Sequence, residues 1–190
     1  MQVTRASLAR LTPDGDLVPG VAPGGAVLWP FTQNGRFPWR CTSPARLDPI
    51  NLLVLRADPA RVFAALTECG WRRPADGARH RTWIDGAFRT MDDHIALGDR
   101  AERVHIRLFG LGGVTLAAAH HEVADRRGRH VVTSWDRARA ETAAALEAAG
   151  FVRIAPSAVV TPRDLRGAPS DGRAWRLVAD EGYASAPDAR

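Results

Sequence analysis

The sequence predicts an α+β domain with a ferredoxin-like split βαβ plan, in which a mixed or antiparallel sheet carries two helices on one face. Three observations lead to this fold class. Strand and helix patterns follow one another in the order strand, helix, strand, hairpin, helix, strand. Each of the two helix patterns begins at a capping residue and stops at a glycine. Two alternating segments are joined by a glycine-rich turn, which is typical of an antiparallel hairpin.

The first strand and helix are read from residues 50 to 71. Ile50 to Leu55 is a short, nearly continuous apolar run, the pattern of a strand that is buried on both faces. Asp58 is suited to cap a helix, and Pro59 fits its first position, where a missing N–H costs nothing. Gly70 supplies a left-handed stop, so we expect the next strand to begin at Trp71.

The hairpin and the second helix follow further along the chain. Apolar residues alternate from Val104 to Leu108, Gly110 to Gly113 form a turn signal, and Val114 to Val123 is the expected antiparallel partner. A second helix is predicted over 135–149, starting at Ser134 or Asp136 and stopping at Gly150. Further strand patterns cover 151–154 and 175–178.

The two ends of the chain differ from this body. Residues 1–46 are broken by repeated proline and glycine, so we predict an irregular arm that packs on the body. Four large rings within this arm favour docking over disorder: Trp29, Phe31, Phe37 and Trp39. One domain is expected over 47–181, followed by a disordered tail at 182–190. The stretch 72–103 has no clear overall pattern. Within it, His80–Asp85 is a candidate strand, and Met91–His94 is a candidate polar loop.

Composition narrows the function classes. The net charge is +5 with a sequence pI of about 10.7, and every basic residue is arginine, but acidic residues are spread among them. This mixture argues against nucleic-acid binding, which needs a basic stripe on one element. No apolar run is long enough for a membrane helix, no secretion signal is present, and the two cysteines lack CxxC spacing, so we expect a soluble cytoplasmic protein. Composition leaves homo-oligomerisation open.

Histidine clustering is the main functional signal. Four of the six histidines lie between positions 105 and 130. If Gly112 and Gly113 form a two-residue turn, His105 lies opposite His120, and Arg103 lies opposite Glu122. Directly opposed side chains have Cβ atoms about 5 Å apart, close enough for two imidazoles to share a metal. Glu122 would lie on the same face as His120, whereas His121 would point toward the helices.

These residues predict an open divalent-metal site. His105, His120 and Glu122 supply two nitrogens and a carboxylate, and His130 and Asp136 are candidates to complete the set. Zinc, manganese and iron all suit such ligands. Without a metal, His105, His120 and Glu122 remain candidates for general acid–base catalysis. The plainer alternative is also open, in which His105 is a half-buried sheet residue and Glu122 pairs with Arg103 across the strands.

Three further residues are candidates for substrate binding. Arg107 shares the predicted open face, and with Arg139 it could hold a carboxylate or phosphate through paired N–H groups. Trp135 could line the pocket. Phosphate-loop, dinucleotide-binding, HExxH and GxSxG motifs are all absent from the sequence. Thr133 and Ser134 near His130 do not by themselves make a nucleophile and base.

Several segments, taken together, resemble the LssY C-terminal domain family over roughly residues 47–180. They are Asp48-Pro49-Ile50-Asn51-Leu52, Cys69-Gly70-Trp71, Arg103 to Phe109, Ala118 to Glu122, His130 to Arg139, and Ser170-Asp171-Gly172-Arg173. The chain departs from the family pattern in a shortened middle section and in Val132-Thr133-Ser134, which replace an acidic lead-in to the helix. The resemblance implies a shared fold and one polar site containing His105, Arg107, Glu122, His130, Asp136 and Arg139. It names no reaction.

The functional expectation is a domain that binds a small, anionic molecule at this polar site, with metal-assisted hydrolase or lyase activity as its catalytic form. Whether the protein is an enzyme stays open at this stage. The alternative is a noncatalytic protein-interaction module that uses the aromatic N-terminal arm.

Overall fold

The computed structural model describes backbone and side chains for residues 48–75, 90–155, 168 and 170–180. The backbone alone is described for residues 10–11, 17–18, 20–21, 27–28, 31–34, 80–84, 87–89, 164–165 and 169. The tail predicted at 182–190 lies outside the described residues. So do Trp29, Phe37 and Trp39 of the arm, and only the backbone of Phe31 is described.

A seven-stranded mixed sheet forms the body of the protein. Its strands are Leu52–Leu55 (β1), Asp93–Gly98 (β2), Glu102–Leu111 (β3), Val114–Ala124 (β4), His130–Ser134 (β5), Phe151–Ile154 (β6) and Trp175–Ala179 (β7). The spatial order is β2-β3-β4-β1-β7-β6, with β5 paired to the far half of β4. Only β1 and β7 pair in parallel; the other pairs in this sheet are antiparallel. The α+β class is confirmed.

The split βαβ order is present, with three further strands in the sheet: β2, β5 and β7. β1, α1 (Pro59–Glu68), β3, β4, α2 (Trp135–Ala148) and β6 follow the split βαβ order. β7 lies between β1 and β6, so the sheet is wider than a four-stranded ferredoxin-like sheet. This insertion matters for the site because it brings the loop 170–174, which leads into β7, next to the start of β1.

Both helices are capped as the sequence predicts. Asp58 Oδ1 accepts a hydrogen bond from the Arg61 N–H at 2.8 Å. Ser134 Oγ accepts one from the Arg137 N–H at 3.0 Å, which fixes the start of α2 at Ser134 rather than Asp136. The two helices pack against each other on one face of the sheet, where they bury its main apolar core. The largest contributors are Leu52, Val54, Leu66, Trp71, Ile95, Ile106, Leu108, Leu146 and Leu177.

Two expectations for the stretch after α1 are wrong. Trp71 begins no strand: it is buried in the core, and the next residue makes only a single bridge, between Arg72 and Ala96. The polar loop expected at Met91–His94 gives way to β2 from Asp93 onward. β2 pairs with β3, which follows it after a short turn at residues 99–101, and the polar residues at its start obscure the alternating strand pattern.

A smaller four-stranded sheet lies beside the main one. Its order is Asp48–Pro49, Phe31–Asn34, His80–Ile84 and Ala87–Thr90, so the strand expected near His80 is present and part of the N-terminal arm pairs with it. The remaining strands form short antiparallel pairs: Arg10–Leu11 with Leu17–Val18, Gly20–Val21 with Val27–Leu28, and Asp164–Leu165 with Ala168–Pro169. In the described part of the chain, neither helix has the length and apolarity that crossing a membrane requires.

Candidate metal centre

The register of the central hairpin decides which side chains meet. Gly112 and Gly113 have φ values of 54° and 82°, as a tight turn with two left-handed residues requires. His105 consequently pairs with His120, and Arg103 pairs with Glu122. The register predicted from the sequence is confirmed, and with it the assignment of these residues to one face.

We call this surface the histidine face and define it by His105, Arg107, His120 and Glu122. It is the side of the sheet opposite the helices, because Ile106 and Ala119, which alternate with these residues, lie in the helix-covered core. All four defining side chains are buried. The rings of His105 and His120 have centroids 5.1 Å apart and meet edge to face.

Three potential metal ligands converge on this face. One ligand atom from each of His105, His120 and Glu122 lies within 4.8 Å of the other two. That spacing allows a single divalent cation to contact all three after small side-chain adjustments, since metal–ligand bonds to nitrogen and oxygen are about 2.0–2.2 Å. The geometric expectation that these three residues share one location is confirmed. They could hold a metal ion.

His105 is the least satisfied member of the group. The residue is 2% exposed, and neither ring nitrogen has a hydrogen-bond partner in the described part of the chain. The carboxylate of Glu122 lies close by, with His105 Nδ1 3.9 Å from Oε1, beyond hydrogen-bond distance. Leaving a buried polar group unpaired costs about 1–3 kcal/mol. The ring nitrogens of His105 therefore remain available to bind a ligand.

Glu122 is the most heavily hydrogen-bonded member. Arg103 Nε donates to Oε1 at 2.5 Å, His130 Nδ1 donates to the same oxygen at 2.6 Å, and His120 Nε2 donates to Oε2 at 3.0 Å. Burial raises the pKa of this carboxyl, but the hydrogen bonds from His120, His130 and Arg103 outweigh it and hold the pKa well below its usual range. Glu122 is therefore a carboxylate at neutral pH.

An arginine fixes the proton position on His120. Arg107 Nη1 lies 3.3 Å from His120 Nδ1, and a guanidinium can only donate, so Nδ1 accepts and the ring proton sits on Nε2. Arg107 is itself held by a buried ion pair with Asp48. A cation could bind Nε2 of neutral His120 only if the ring proton moved to Nδ1, and the Arg107 N–H would then have to turn away from that nitrogen.

Both central histidines are neutral near pH 7. Burial lowers the pKa of His105 well below its ordinary value, and the charge of Arg107 lowers it further. The same two causes, in the same order, lower the pKa of His120. Neutral imidazoles and an ionised carboxylate are the states in which these residues bind metals. The site is thus prepared for a cation without first having to lose protons from charged histidines.

His130 joins the site indirectly. Its Nδ1 is bonded to Glu122, and its side chain is 25% exposed, so it lies at the rim between the buried donors and solvent. The group of donors within metal-sharing distance consists of His105, His120 and Glu122 and does not include His130. In this arrangement His130 orients the carboxylate that would bind the metal.

Asp136 and Arg139 belong to a separate network. Arg139 is buried and forms ion pairs with Asp171 at 2.7 Å and with Asp136 at 3.1 Å, and it donates to the Arg173 carbonyl at 2.5 Å. Asp136 also accepts a hydrogen bond from the Asp171 N–H at 2.9 Å. These contacts fasten α2 to the loop before β7. Asp136 is not among the converging donors, and the Arg139 guanidinium is engaged here rather than aimed at the histidines.

Trp135 supports the site by packing. It is fully buried, and its ring lies edge-on to His120 with centroids 5.8 Å apart, so it shields one side of that imidazole. Two residues near the site were not assigned to it from the sequence. Asp48 pairs with Arg107, and the ring of His94 on β2 is tilted by 56° against that of His105, with centroids 5.4 Å apart. No local signal marks Asp48, whereas His94 would have been found had β2 been recognised.

No protein-family model matches this chain, and no significant similarity to a curated protein or a solved structure was found. The resemblance to the LssY C-terminal domain family therefore stays a prediction, and the function has to be argued from the geometry of the histidine face.

Proposed function

We propose that this protein binds one divalent transition-metal ion through His105, His120 and Glu122, and that the metal acts on a small anionic molecule. The observation that carries the proposal is His105: among the described residues neither of its buried ring nitrogens has a hydrogen-bond partner, and it faces a neutral imidazole and a carboxylate. Two imidazoles and one carboxylate suit zinc, iron and manganese and leave coordination positions for water or substrate.

The charges around the site favour an anionic ligand. Glu122 and Asp48 balance Arg103 and Arg107, and the two central histidines are neutral. A bound divalent cation would thus leave a buried double positive charge, which is costly unless an anion compensates it. Hydroxide or the carboxylate or phosphate of a substrate would supply that charge. A metal-bound water has a pKa of about 7, so hydrolysis or a lyase-type elimination is the chemistry that follows.

The test is metal content after reconstitution. Full-length protein is incubated separately with zinc, manganese and ferrous iron, the last under anaerobic conditions, then dialysed and analysed for metal per chain. We expect about one ion per chain for at least one metal, and loss of that ion in His105→Asn and Glu122→Gln. His121→Asn is the matched control, because this neighbouring buried histidine points to the opposite face.

Two results would overturn the proposal. One is wild-type protein that retains none of the three metals; the other is a folded His105→Asn variant that retains as much metal as the His121→Asn control. The anionic ligand is tested with inorganic phosphate by titration calorimetry. Phosphate should bind the metal-loaded protein more tightly than the metal-free protein, and equal affinity would refute that part of the proposal.

A further inference from the structure

A second group of polar side chains lies on the other side of the sheet and is not used by the proposed metal centre. It consists of Glu102 on β3, His121 on β4 and Thr133 on β5. His121 is buried, with its side chain 5% exposed, whereas the Glu102 side chain is 55% exposed. Thr133 is also an exposed residue, and its contact with the His121 ring is partly buried.

The hydrogen bonds in this group run in one direction. His121 Nε2 lies 2.9 Å from Glu102 Oε1, and a carboxylate can only accept, so the ring proton is on Nε2. In the neutral ring His121 Nδ1 is an acceptor, and Thr133 Oγ1 lies 2.5 Å from it; the other acceptor within reach of this hydroxyl is the His121 carbonyl oxygen at 3.3 Å. Arg137 Nη1 also donates to Glu102 Oε1 at 3.1 Å and holds the carboxylate in place.

A β-bulge aims the hydroxyl at the ring. Where β5 pairs with β4, His121 pairs with Ser134 and Glu122 pairs with Val132, so Thr133 is the extra residue. Bulges redirect a single side chain, and they are over-represented next to active sites. The bulge thus brings Thr133 to the histidine although it lies outside the regular ladder.

We propose that Thr133 is a nucleophilic hydroxyl, with His121 as its general base and Glu102 as the positioning residue, and that it accepts acyl groups from small activated esters. A hydroxyl that donates to an imidazole, whose other nitrogen donates to a carboxylate, is the arrangement used in nucleophilic catalysis. Glu102 acts through His121: it keeps the ring proton on Nε2 and stabilises the positive charge formed when Nδ1 takes the hydroxyl proton.

The acyl donor in the acylation step is an aryl ester. The Thr133 Oγ1 to acyl carbon bond forms, the bond from that carbon to the aryloxy oxygen breaks, and the threonine proton passes through His121 Nδ1 to the departing oxygen. Water then attacks the acyl carbon, the bond to Oγ1 breaks, and the hydroxyl is regenerated. A first turnover faster than the later ones would show a burst of released phenol.

The experiment uses full-length protein and 4-nitrophenyl acetate, with acetylated peptides located by mass spectrometry. The chain contains no lysine, which removes the commonest competing acceptor. Thr67 is the internal control, because its exposed hydroxyl donates to the Phe63 carbonyl and has no imidazole beside it. We expect acetylation of Thr133 at least about 100-fold faster than that of Thr67, the range for general-base assistance. Equal labelling of the two threonines would overturn the proposal.

Variants separate this group from the metal centre. Thr133→Val should abolish the burst, and His121→Asn should slow acetylation of Thr133 by about 100-fold or more while metal content is unchanged. Glu102→Gln, at an exposed position that cannot unfold the core, should slow it by about tenfold, and Glu102→Asp should restore part of the rate. His105→Asn should leave Thr133 acetylation intact. Unchanged acetylation in both His121→Asn and Glu102→Gln would refute the proposed roles.

Discussion

Replacing His105 with leucine tests whether its nitrogens are unpartnered. In metal-free protein, His105→Leu removes a buried ring whose two nitrogens have no hydrogen-bond partner in the described structure. The unpaired polar group costs about 1–3 kcal/mol, and imperfect fit of leucine in the same space costs up to about 1.5 kcal/mol. We therefore expect the free energy of unfolding of the variant to lie between about 0.5 kcal/mol below and about 3 kcal/mol above that of the wild type.

His121→Leu is the matched comparison. This histidine is as buried as His105 but makes hydrogen bonds to Thr133 and Glu102, one of them to a charged group. Losing them should lower the free energy of unfolding by about 1–3 kcal/mol. The change in the free energy of unfolding thus distinguishes a histidine with unpartnered ring nitrogens from one whose ring nitrogens are hydrogen-bonded.

The assay is urea denaturation of both variants and the wild type with a chelator present, repeated with zinc. Zinc should raise the midpoint of the wild type and of His121→Leu, because a ligand that binds only the folded state stabilises it, and it should leave His105→Leu unchanged. The reasoning fails if His105→Leu destabilises the metal-free protein as much as His121→Leu does.

Three further predictions concern the residues around the site and the hairpin. Asp48→Asn should lower the free energy of unfolding by about 3 kcal/mol, because it removes the carboxylate that pairs with the buried guanidinium of Arg107; urea denaturation measures this, and a loss near zero would contradict it. Burial raises the pKa of Asp171, but hydrogen bonds from Arg139 outweigh it and hold the pKa below its ordinary value. Its contribution is therefore present above the unfolded pKa and lost as the pH falls through the folded one, so Asp171→Asn should lose less stability than the wild type between about pH 5 and pH 2; parallel losses in a pH series would argue against this. Gly113→Ala, at φ 82° with open space around the new methyl group, should cost about 1 kcal/mol through backbone strain while leaving metal content unchanged; loss of the metal would show that the turn, and not the strands, holds the register.

Local sequence signals determined the secondary structure of the body and the centre of the site. The caps at Asp58 and Ser134 located both helices, because a capping side chain bonds to a backbone N–H only three residues away. The double-glycine turn fixed the pairing of His105 with His120, because a two-residue turn leaves only one register for the strands it joins. Both effects act between residues close together in the sequence, so they can be predicted from the sequence alone.

Tertiary structure decided the rest, because those contacts join residues that the sequence separates widely. Asp48 meets Arg107 across 59 positions, and Arg139 pairs with Asp171 because β7 inserts beside β1. Burial is likewise a property of the packed sheet. It excludes water from His105, whose ring nitrogens have no hydrogen-bond partner among the described residues, and it lowers the pKa of the ring. The sequence by itself determined which groups face one another across the hairpin; only the folded chain determined which of them are desolvated, charged or already engaged elsewhere.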